Sequence, residues 1–235
     1  MMNKKLKIAL IIVVALIFAY AVFYLTEYYP AENSVSDYLN GSENVSVIKS
    51  DSGLFLDGPG NETALIFYPG AKVEYTSYLP LLMELSNRGV DCYLVKMPFN
   101  LAFFGENIAD SIIDEGNYSR YVLAGHSLGG VVAVSYINHT GKGDGLILLS
   151  SYPSSKIDKP LLSIYGSEDK VLNMESYNKS KDFADNFTEF IIVGGNHEQF
   201  AYYGEQSGDG IATITPEDQQ MQTINIILQF INGLK

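Results

Sequence analysis

A serine stands at the centre of residues 125–129, Gly-His-Ser-Leu-Gly, where it could act as a nucleophile. The apolar run Arg120 to Ala124 before it is typical of a short strand, and Leu128 to Asn138 after it is typical of a helix. A strand that turns so abruptly into a helix needs the flanking glycines, because a side chain at either would collide with the neighbouring strand or helix. The corner exposes the Ser127 hydroxyl beside the positive end of the helix, which predicts nucleophilic catalysis.

A serine hydroxyl needs a base to take its proton, and the chain offers three histidines. His126 neighbours the serine on the corner and is expected to point elsewhere. His139 falls at the far end of the helix, where a surface position is expected. His197 follows the last apolar strand, Phe190 to Val193. Because the carboxyl ends of the strands form the site in an open α/β sheet, His197 is the predicted base.

The base in turn needs a carboxylate that fixes its tautomer, and this acid should also follow a strand. The run Leu161 to Tyr165 is followed at residues 166–169 by Gly-Ser-Glu-Asp. Asp169 is the predicted acid, because this loop should lie beside the loop of His197, and Glu168 is the alternative. The resulting order along the chain is serine, aspartate, histidine.

A tetrahedral intermediate carries a negative oxygen that needs two hydrogen-bond donors. The N–H of Leu128 is one predicted donor, and that of Ala71, in the loop after an apolar strand at residues 64–68, is the other. Lys72 could add positive potential there. Met97 and Asn100 follow a further strand and are predicted to line the substrate pocket.

The surrounding elements alternate between strands and helices. Strands are predicted at residues 45–49, 54–56, 64–68, 90–95, 121–124, 146–149, 161–165 and 190–193, and helices at 78–87, 108–113, 131–137, 174–183 and from 215 to about 231. The continuously apolar strands predict a mostly parallel sheet with helices on both faces. Only eleven residues separate Leu149 from Leu161, which is too short for a helical lid, so a shallow, open site is expected.

A glycine-rich loop at residues 204–210 follows the predicted base. Its Gln206 and Asp209 could brace the loop of His197 by hydrogen bonds. No cluster of metal ligands accompanies them, so neither a metal nor a cofactor is predicted.

Charge and composition narrow the classes of partner. Apolar residues make up 47% of the chain, as in globular proteins. The formal net charge is −12; after the three N-terminal lysines, 12 basic and 27 acidic side chains give a net charge of −15. Nucleic acid is therefore not an expected partner. Cys92 is the single cysteine; it lies in an apolar run and is predicted to be a buried thiol.

Residues 8–25 carry no charge, follow three lysines and precede Glu27. Such a stretch can cross a bilayer, and the lysines would hold residues 1–7 in the cytoplasm and send the rest outward. We predict a retained cell-membrane anchor; the alternative is a cleaved secretion signal, since residues 19–21, Ala-Tyr-Ala, resemble a cleavage site. Residues 26–44 are polar and predicted to be a linker, and residues 45–235 are the predicted catalytic domain.

Potential N-glycosylation sites support export. Seven of the sixteen asparagines begin an Asn-x-Ser/Thr sequon, where chance predicts about two. The alternative is a surface that is simply rich in asparagine and serine. The seven are Asn40, Asn44, Asn61, Asn117, Asn138, Asn178 and Asn186.

Several of these segments together resemble a compact, esterase-like α/β-hydrolase family that is distantly related to dienelactone hydrolases. They are residues 68–73, 96–102, 125–130, 164–169, 194–200 and 203–210. The resemblance runs from about Ala64 to the C-terminus and implies the α/β-hydrolase fold, the triad Ser127, Asp169 and His197, and hydrolase activity. Dienelactone hydrolases usually carry a cysteine nucleophile, so the serine argues against that particular substrate.

The predicted function is therefore a serine hydrolase that cleaves a small-molecule carboxylic ester or thioester through an acyl-enzyme. A peptidase or amidase is the nearest alternative, because the same groups can cleave amides. A non-catalytic binding module on the same fold is a second alternative, but such a module need not keep all three triad residues. A structural cell-envelope protein would explain the anchor and the sequons but not the triad.

Overall fold

Eight strands form one sheet in the computed structural model, which describes residues 3–234. The spatial order is β1-β2-β4-β3-β5-β6-β7-β8. β2 pairs antiparallel with both β1 and β4. The remaining neighbours, from β4 through β3, β5, β6 and β7 to β8, pair parallel. The strands are β1 (Ser46–Ser50), β2 (Gly53–Asp57), β3 (Thr63–Tyr68), β4 (Asp91–Val95), β5 (Arg120–His126), β6 (Gly145–Leu149), β7 (Leu161–Gly166) and β8 (Phe187–Ile192).

Helices cover both faces of this sheet, as the sequence predicts. They are α2 (Leu79–Asn87), α3 (Ile108–Glu115), α4 (Leu128–Thr140), α5 (Met174–Ser180) and α6 (Pro216–Gly233); a further helix, α1 (Lys4–Thr26), precedes the sheet and does not cover it. Alternate side chains of the fully buried β3 pack in opposite directions: Leu65 and Phe67 join α2 and α6 in one core, and Ile66 and Tyr68 join α3 and α4 in the other. Burial on both faces explains why β3 reads as a continuous apolar run.

Local signals explain where the elements begin and end. The hydroxyl of Thr215 accepts the N–H of Asp218 (3.1 Å), and Pro216 opens α6, both of which favour the start of a helix at this point. The helix predicted over 174–183 forms as α5, which ends at Ser180, followed by a 3-10 turn over Lys181–Phe183. Although α5 is polar in sequence, its Tyr177 is fully buried, because the ring packs on Tyr165 and the hydroxyl donates to that of Ser163 (3.0 Å).

Cys92 lies in β4 and is fully buried, as predicted. Burial raises the pKa of its thiol to about 12, so the sulfur stays protonated at neutral pH and lacks the thiolate that reactivity requires. Its Sγ–H donates to the Val90 carbonyl (3.2 Å). The residue is a core side chain.

Helix α1 is long and apolar enough to cross a membrane. It spans 23 residues with a mean hydropathy of 2.9 over its most apolar window, and none of them is buried against the rest of the chain. A secretion signal can be as long and apolar as a membrane span, so the length and composition of α1 are compatible with both the retained anchor and the cleaved signal.

The segment between α1 and β1 differs from the expected linker because it lies on the surface of the domain. Tyr29 pairs with Val73 in a parallel bridge, and the N–H of Glu32 donates to the carbonyl of Tyr202 (2.9 Å). A 3-10 turn then spans Asn33–Asn40, and its Val35 is buried. These apolar and backbone contacts hold residues 29–40 in place, although their polar composition suggested a free spacer.

Candidate active site

Ser127 lies between β5 and α4 in a backbone conformation that side chains rarely adopt, with φ 51° and ψ −122°. Its N–H donates to the carbonyl of Leu149 in β6 (2.9 Å). A Cβ at Gly125 would collide with the backbone of Gly129, and one at Gly129 would collide with the carbonyl oxygens of residues 68 and 69. The glycines therefore permit the close approach of strand and helix that their spacing predicts.

His197 follows β8 and contacts a carboxylate that follows β7. Its Nδ1 lies 3.0 Å from Asp169 Oδ2, and both side chains are buried. A carboxylate only accepts, so Nδ1 carries the proton and Nε2 is the free ring nitrogen. Glu168, the alternative acid, instead accepts from the Ser167 hydroxyl (3.0 Å).

The environment of Asp169 keeps this carboxylate ionised. Burial alone raises its pKa, but the hydrogen bond and charge of His197, with the N–H of Leu172, outweigh burial and leave the pKa below its usual value. Asp169 Oδ1 accepts the N–H groups of Val171 (2.9 Å) and Leu172 (2.8 Å). An ionised, anchored carboxylate can fix the orientation and tautomer of an imidazole.

Ser127, Asp169 and His197 follow β5, β7 and β8, which run parallel, so all three lie at the carboxyl edge of the sheet. The ring of His126, the residue before the serine, is centred 4.6 Å from the ring of His197. Among residues 3–234, no hydrogen bond joins the Ser127 hydroxyl to an imidazole. Such contacts are often long before substrate binds, so the arrangement is compatible with a nucleophile and its base.

The two predicted oxyanion donors, the N–H groups of Leu128 and Ala71, belong to segments that follow β5 and β3 at the same edge of the sheet. Leu128 is the first residue of α4, so its N–H is one of those that a helix leaves without an internal partner. The N–H of Ala71 has no acceptor within the described part of the chain. Since Gly129 lies against the end of β3, the first turn of α4 and the loop that carries Ala71 are neighbours.

His126 occupies a position that sequence reasoning did not assign. It is fully buried; its Nδ1 lies 2.8 Å from the Tyr78 hydroxyl and its Nε2 3.1 Å from the carbonyl oxygen of His197. A carbonyl only accepts, so Nε2 carries the proton and Nδ1 accepts from Tyr78. The Tyr78 oxygen accepts the N–H of Gly70 (3.0 Å).

These three hydrogen bonds form a relay that runs from Gly70 through Tyr78 and His126 to the carbonyl of His197. The relay connects the loop of Ala71 to the backbone of the predicted base. Burial holds the pKa of His126 well below its usual value, so the ring is neutral and its hydrogen bonds keep fixed directions. No local sequence signal reveals these contacts, because Tyr78 and His197 are distant from His126 along the chain.

The loop of His197 is held from two further sides. Asp209 Oδ2 accepts the N–H groups of His197 (2.9 Å) and Glu198 (3.0 Å), which confirms the predicted bracing by the glycine-rich loop. From α6, the fully buried Gln219 accepts the N–H of Asn196 (2.9 Å) and donates to its carbonyl (2.8 Å). Gln206 also braces this loop, because its N–H donates to the carboxylate of Glu198, and its side-chain oxygen accepts from the Tyr203 hydroxyl (2.8 Å).

The three residues predicted to contact substrate are not equally placed for it. The N–H of Lys72 donates to the carbonyl of Asn100 (2.7 Å), which brings these two backbones together beside Ala71. Met97 is almost completely buried. The Lys72 ammonium lies over the Tyr24 ring of α1, 3.6 Å from its centroid, and 3.7 Å from Glu27 Oε2. Their contact with substrate stays a prediction.

The site lacks a helical cover in the loop where one would be inserted. Residues 150–160 form an irregular loop between β6 and β7.

His139, the remaining histidine, is exposed at the end of α4 and pairs with Glu106 (2.8 Å), as expected of a surface residue.

Residues 64–221 match the model of the alpha/beta hydrolase family. The chain matches no protein of curated function by sequence. Carboxyl esterase 2 from the fungus Tuber melanosporum is 10% identical with a TM-score of 0.59, covering 89% of this chain and 92% of the esterase.

Two further solved structures are similar. Mouse alpha/beta hydrolase domain-containing protein 10 is 14% identical with a TM-score of 0.59, covering 81% of this chain and 99% of the mouse protein. Est1E from Butyrivibrio proteoclasticus is 14% identical with a TM-score of 0.55, covering 81% of this chain and 100% of Est1E. At these identities the likeness shows the fold. The distant relationship to dienelactone hydrolases stays a prediction, whereas the match over residues 64–221 shows that the chain belongs to the alpha/beta hydrolase family.

Proposed function

We propose that this hydrolase uses Ser127 as nucleophile, His197 as general base and Asp169 as the acid that orients it, and that it cleaves a carboxylic ester or thioester. The observation that carries the proposal is the buried hydrogen bond of 3.0 Å between His197 Nδ1 and Asp169 Oδ2. It leaves Nε2 free at the edge of the sheet where the strained Ser127 turn lies. A structural histidine would not require an ionised, doubly anchored carboxylate behind it.

The chemistry follows the acyl-enzyme route. The oxygen of Ser127 attacks the acyl carbon while His197 Nε2 takes the hydroxyl proton, and the N–H groups of Leu128 and Ala71 stabilise the oxyanion. Collapse breaks the bond to the alcohol or thiol, which leaves with the proton from Nε2. Water then attacks the acyl-enzyme with the same base, and the carboxylic acid is released.

We further propose that α1 anchors the protein in the cell membrane with the hydrolase domain outside the cytoplasm. The three lysines at the start of α1 support this orientation. All seven sequon asparagines are exposed, as N-glycosylation requires. A mobility shift after enzymatic removal of N-glycans would support both export and modification, and its absence in a glycosylating host would count against them.

The test uses the full chain in detergent micelles, because Tyr29 and Val35 hold the N-terminal segment on the domain. Hydrolysis of short-chain p-nitrophenyl esters is measured for wild type, Ser127→Ala and His197→Ala. Both substitutions should lower kcat by about ten-thousandfold or more. The matched control Ser111→Ala removes an exposed hydroxyl from α3 and should leave kcat unchanged.

A fluorophosphonate probe provides an independent readout, because it labels only an activated serine. Labelling that is lost in Ser127→Ala identifies the nucleophile. Faster turnover of p-nitroanilides than of esters would indicate an amidase. No turnover of either class together with no labelling would refute the enzymatic proposal and indicate a binding module.

A further inference from the structure

The membrane helix and the candidate oxyanion loop are in direct contact. Lys72, the residue after Ala71, places its ammonium 3.6 Å from the centre of the Tyr24 ring, within the last turn of α1. Two residues beyond the end of α1, Tyr28 begins a stretch in which Tyr29 N donates to the Lys72 carbonyl (2.6 Å) and Glu74 N donates to the Tyr29 carbonyl (2.9 Å). The chain therefore leaves the helix and joins the site without a spacer.

This contact places the site at the membrane surface. Tyrosines near the ends of membrane helices lie at the level of the lipid headgroups. Tyr20 and Tyr24 lie in the C-terminal part of α1, and Tyr28 lies just beyond its end. The Tyr29 ring also packs on that of Tyr203 (centroids 5.7 Å apart), in the loop that follows His197. Both loops that flank the nucleophile are thus tied to the residues where the helix leaves the bilayer.

An exposed aromatic cluster continues this surface. Phe99, Phe103 and Phe104 are 56%, 61% and 59% exposed, and the rings of Phe99 and Phe104 meet edge to face (5.9 Å). Their segment is joined to Lys72, which contacts α1, by the hydrogen bond from Lys72 N to the Asn100 carbonyl (2.7 Å). Three neighbouring exposed phenylalanines are typical of a binding surface, and this one adjoins the end of a membrane helix.

We propose that the Phe99–Phe104 cluster (Phe99, Phe103 and Phe104) inserts into the same lipid leaflet that α1 leaves, and that the substrate is an ester held in that leaflet. This inference rests on the proposed hydrolase function and names its substrate class. The open site, without a helical cover over residues 150–160, suits an ester bond at the headgroup level whose long chain remains in the bilayer. Hydrolysis gives a carboxylic acid and an alcohol, one of which stays in the membrane.

The test uses the full chain in phosphatidylcholine vesicles, because the acidic domain would be repelled by anionic lipids. Two fluorogenic acetates share the same acyl group and leaving oxygen: 4-methylumbelliferyl acetate, which is soluble, and 4-heptadecylumbelliferyl acetate, which stays in the bilayer. At equal total concentration, the membrane-held ester should be cleaved about tenfold faster, because the leaflet concentrates it beside the site.

The variant Phe103→Ser/Phe104→Ser should lose about fivefold or more of the rate on the membrane-held ester and keep its rate on the soluble one. The matched control Phe183→Ser/Phe190→Ser changes two exposed phenylalanines (38% and 43%) near the opposite edge of the sheet and should change neither rate. Equal losses in both variants, or no preference for the membrane-held ester, would overturn the substrate inference alone. Cleavage of neither ester by wild type would overturn the proposed function instead.

Membrane insertion has a readout that needs no activity. A fluorophore attached to Phe103→Cys should be quenched by nitroxide-labelled lipids in the vesicles, and one attached to Phe183→Cys should not. The native Cys92 is fully buried, so it should not take the label. Absence of quenching at position 103 would overturn the proposed insertion whatever the enzyme assays show.

Discussion

Replacing Tyr78 by phenylalanine removes one oxygen atom at the junction of two loops of the site. That oxygen accepts the N–H of Gly70 (3.0 Å) and donates to His126 Nδ1 (2.8 Å), and Tyr78 and His126 are both buried. Burial raises the pKa of Tyr78, so the phenol stays protonated and is a donor at every relevant pH. The ring itself keeps its packing on Phe67.

The expected loss of stability comes from the two groups that lose their hydrogen-bond partner, the N–H of Gly70 and Nδ1 of His126. His126 cannot compensate by changing tautomer, because its Nε2 must keep its proton for the carbonyl of His197. Each buried group without a partner costs about 1–3 kcal/mol, so the two together destabilise the fold by about 2–6 kcal/mol. For a chain of this size each kcal/mol lowers Tm by about 2–4 °C, so we expect Tm to fall by at least about 4 °C.

Thermal unfolding followed by circular dichroism, with the full chain in detergent micelles, measures this effect. The matched control is Tyr136→Phe, because its hydroxyl bonds the solvent-accessible carboxylate of Asp110, which keeps its contact with Lys142. The control should shift Tm by less than about 2 °C. Because Gly70 precedes Ala71, kcat for ester hydrolysis should also fall in Tyr78→Phe alone. Equal Tm values for Tyr78→Phe and wild type would refute the assigned relay.

Three other perturbations test separate parts of the site. Asp169→Asn should lower kcat by about ten-thousandfold, whereas Glu168→Gln should leave it unchanged. Because the folded pKa of Asp169 is depressed, its contribution to stability is present above its unfolded pKa of about 3.9 and is lost as pH falls through the lower, folded value. The Asn variant should therefore lose less stability than wild type in acid denaturation below about pH 4; parallel curves would contradict this. Asp209→Asn should lower kcat while leaving KM nearly unchanged, since it loosens the base rather than the pocket, and unchanged kcat would show that the brace is dispensable. Gly129→Ala should yield insoluble or unfolded protein, because its Cβ would collide with two carbonyl oxygens, whereas Gly233→Ala, with open space around it, should be folded; soluble, native-like Gly129→Ala would contradict the close packing at this corner.

The parts of the fold that the sequence predicts are those governed by local patterns. The continuously apolar β3 and the glycines around Ser127 determine their own geometry within a few residues, so the sheet and the sharp corner could be inferred. The pairing of Asp169 with His197 could also be predicted, because both follow parallel strands whose carboxyl ends meet.

Contacts between distant segments could not be predicted in the same way. The position of His126 between Tyr78 and the backbone of His197 depends on the packing of α2 against the sheet, which no short pattern encodes. Likewise, residues 29–40 are polar in composition, but Val35 and the Tyr29 bridge to Val73 dock them on the domain. Tyr177 belongs to a helix of polar composition, yet it is buried, with its ring on Tyr165 and its hydroxyl bonded to Ser163.

The two hydrogen bonds between the Gln219 side chain and the Asn196 backbone affect when the site can form during synthesis. A chain made from its N-terminus at about 5–20 residues per second presents Ser127, Asp169 and His197 before the first turn of α6 exists. Until Gln219 has been synthesised, the N–H and the carbonyl of Asn196, the residue before His197, lack their hydrogen bonds to its side chain. The loop of the proposed base is therefore held in place only after the first turn of α6 has been made, so we expect the nascent chain to become active late in its synthesis.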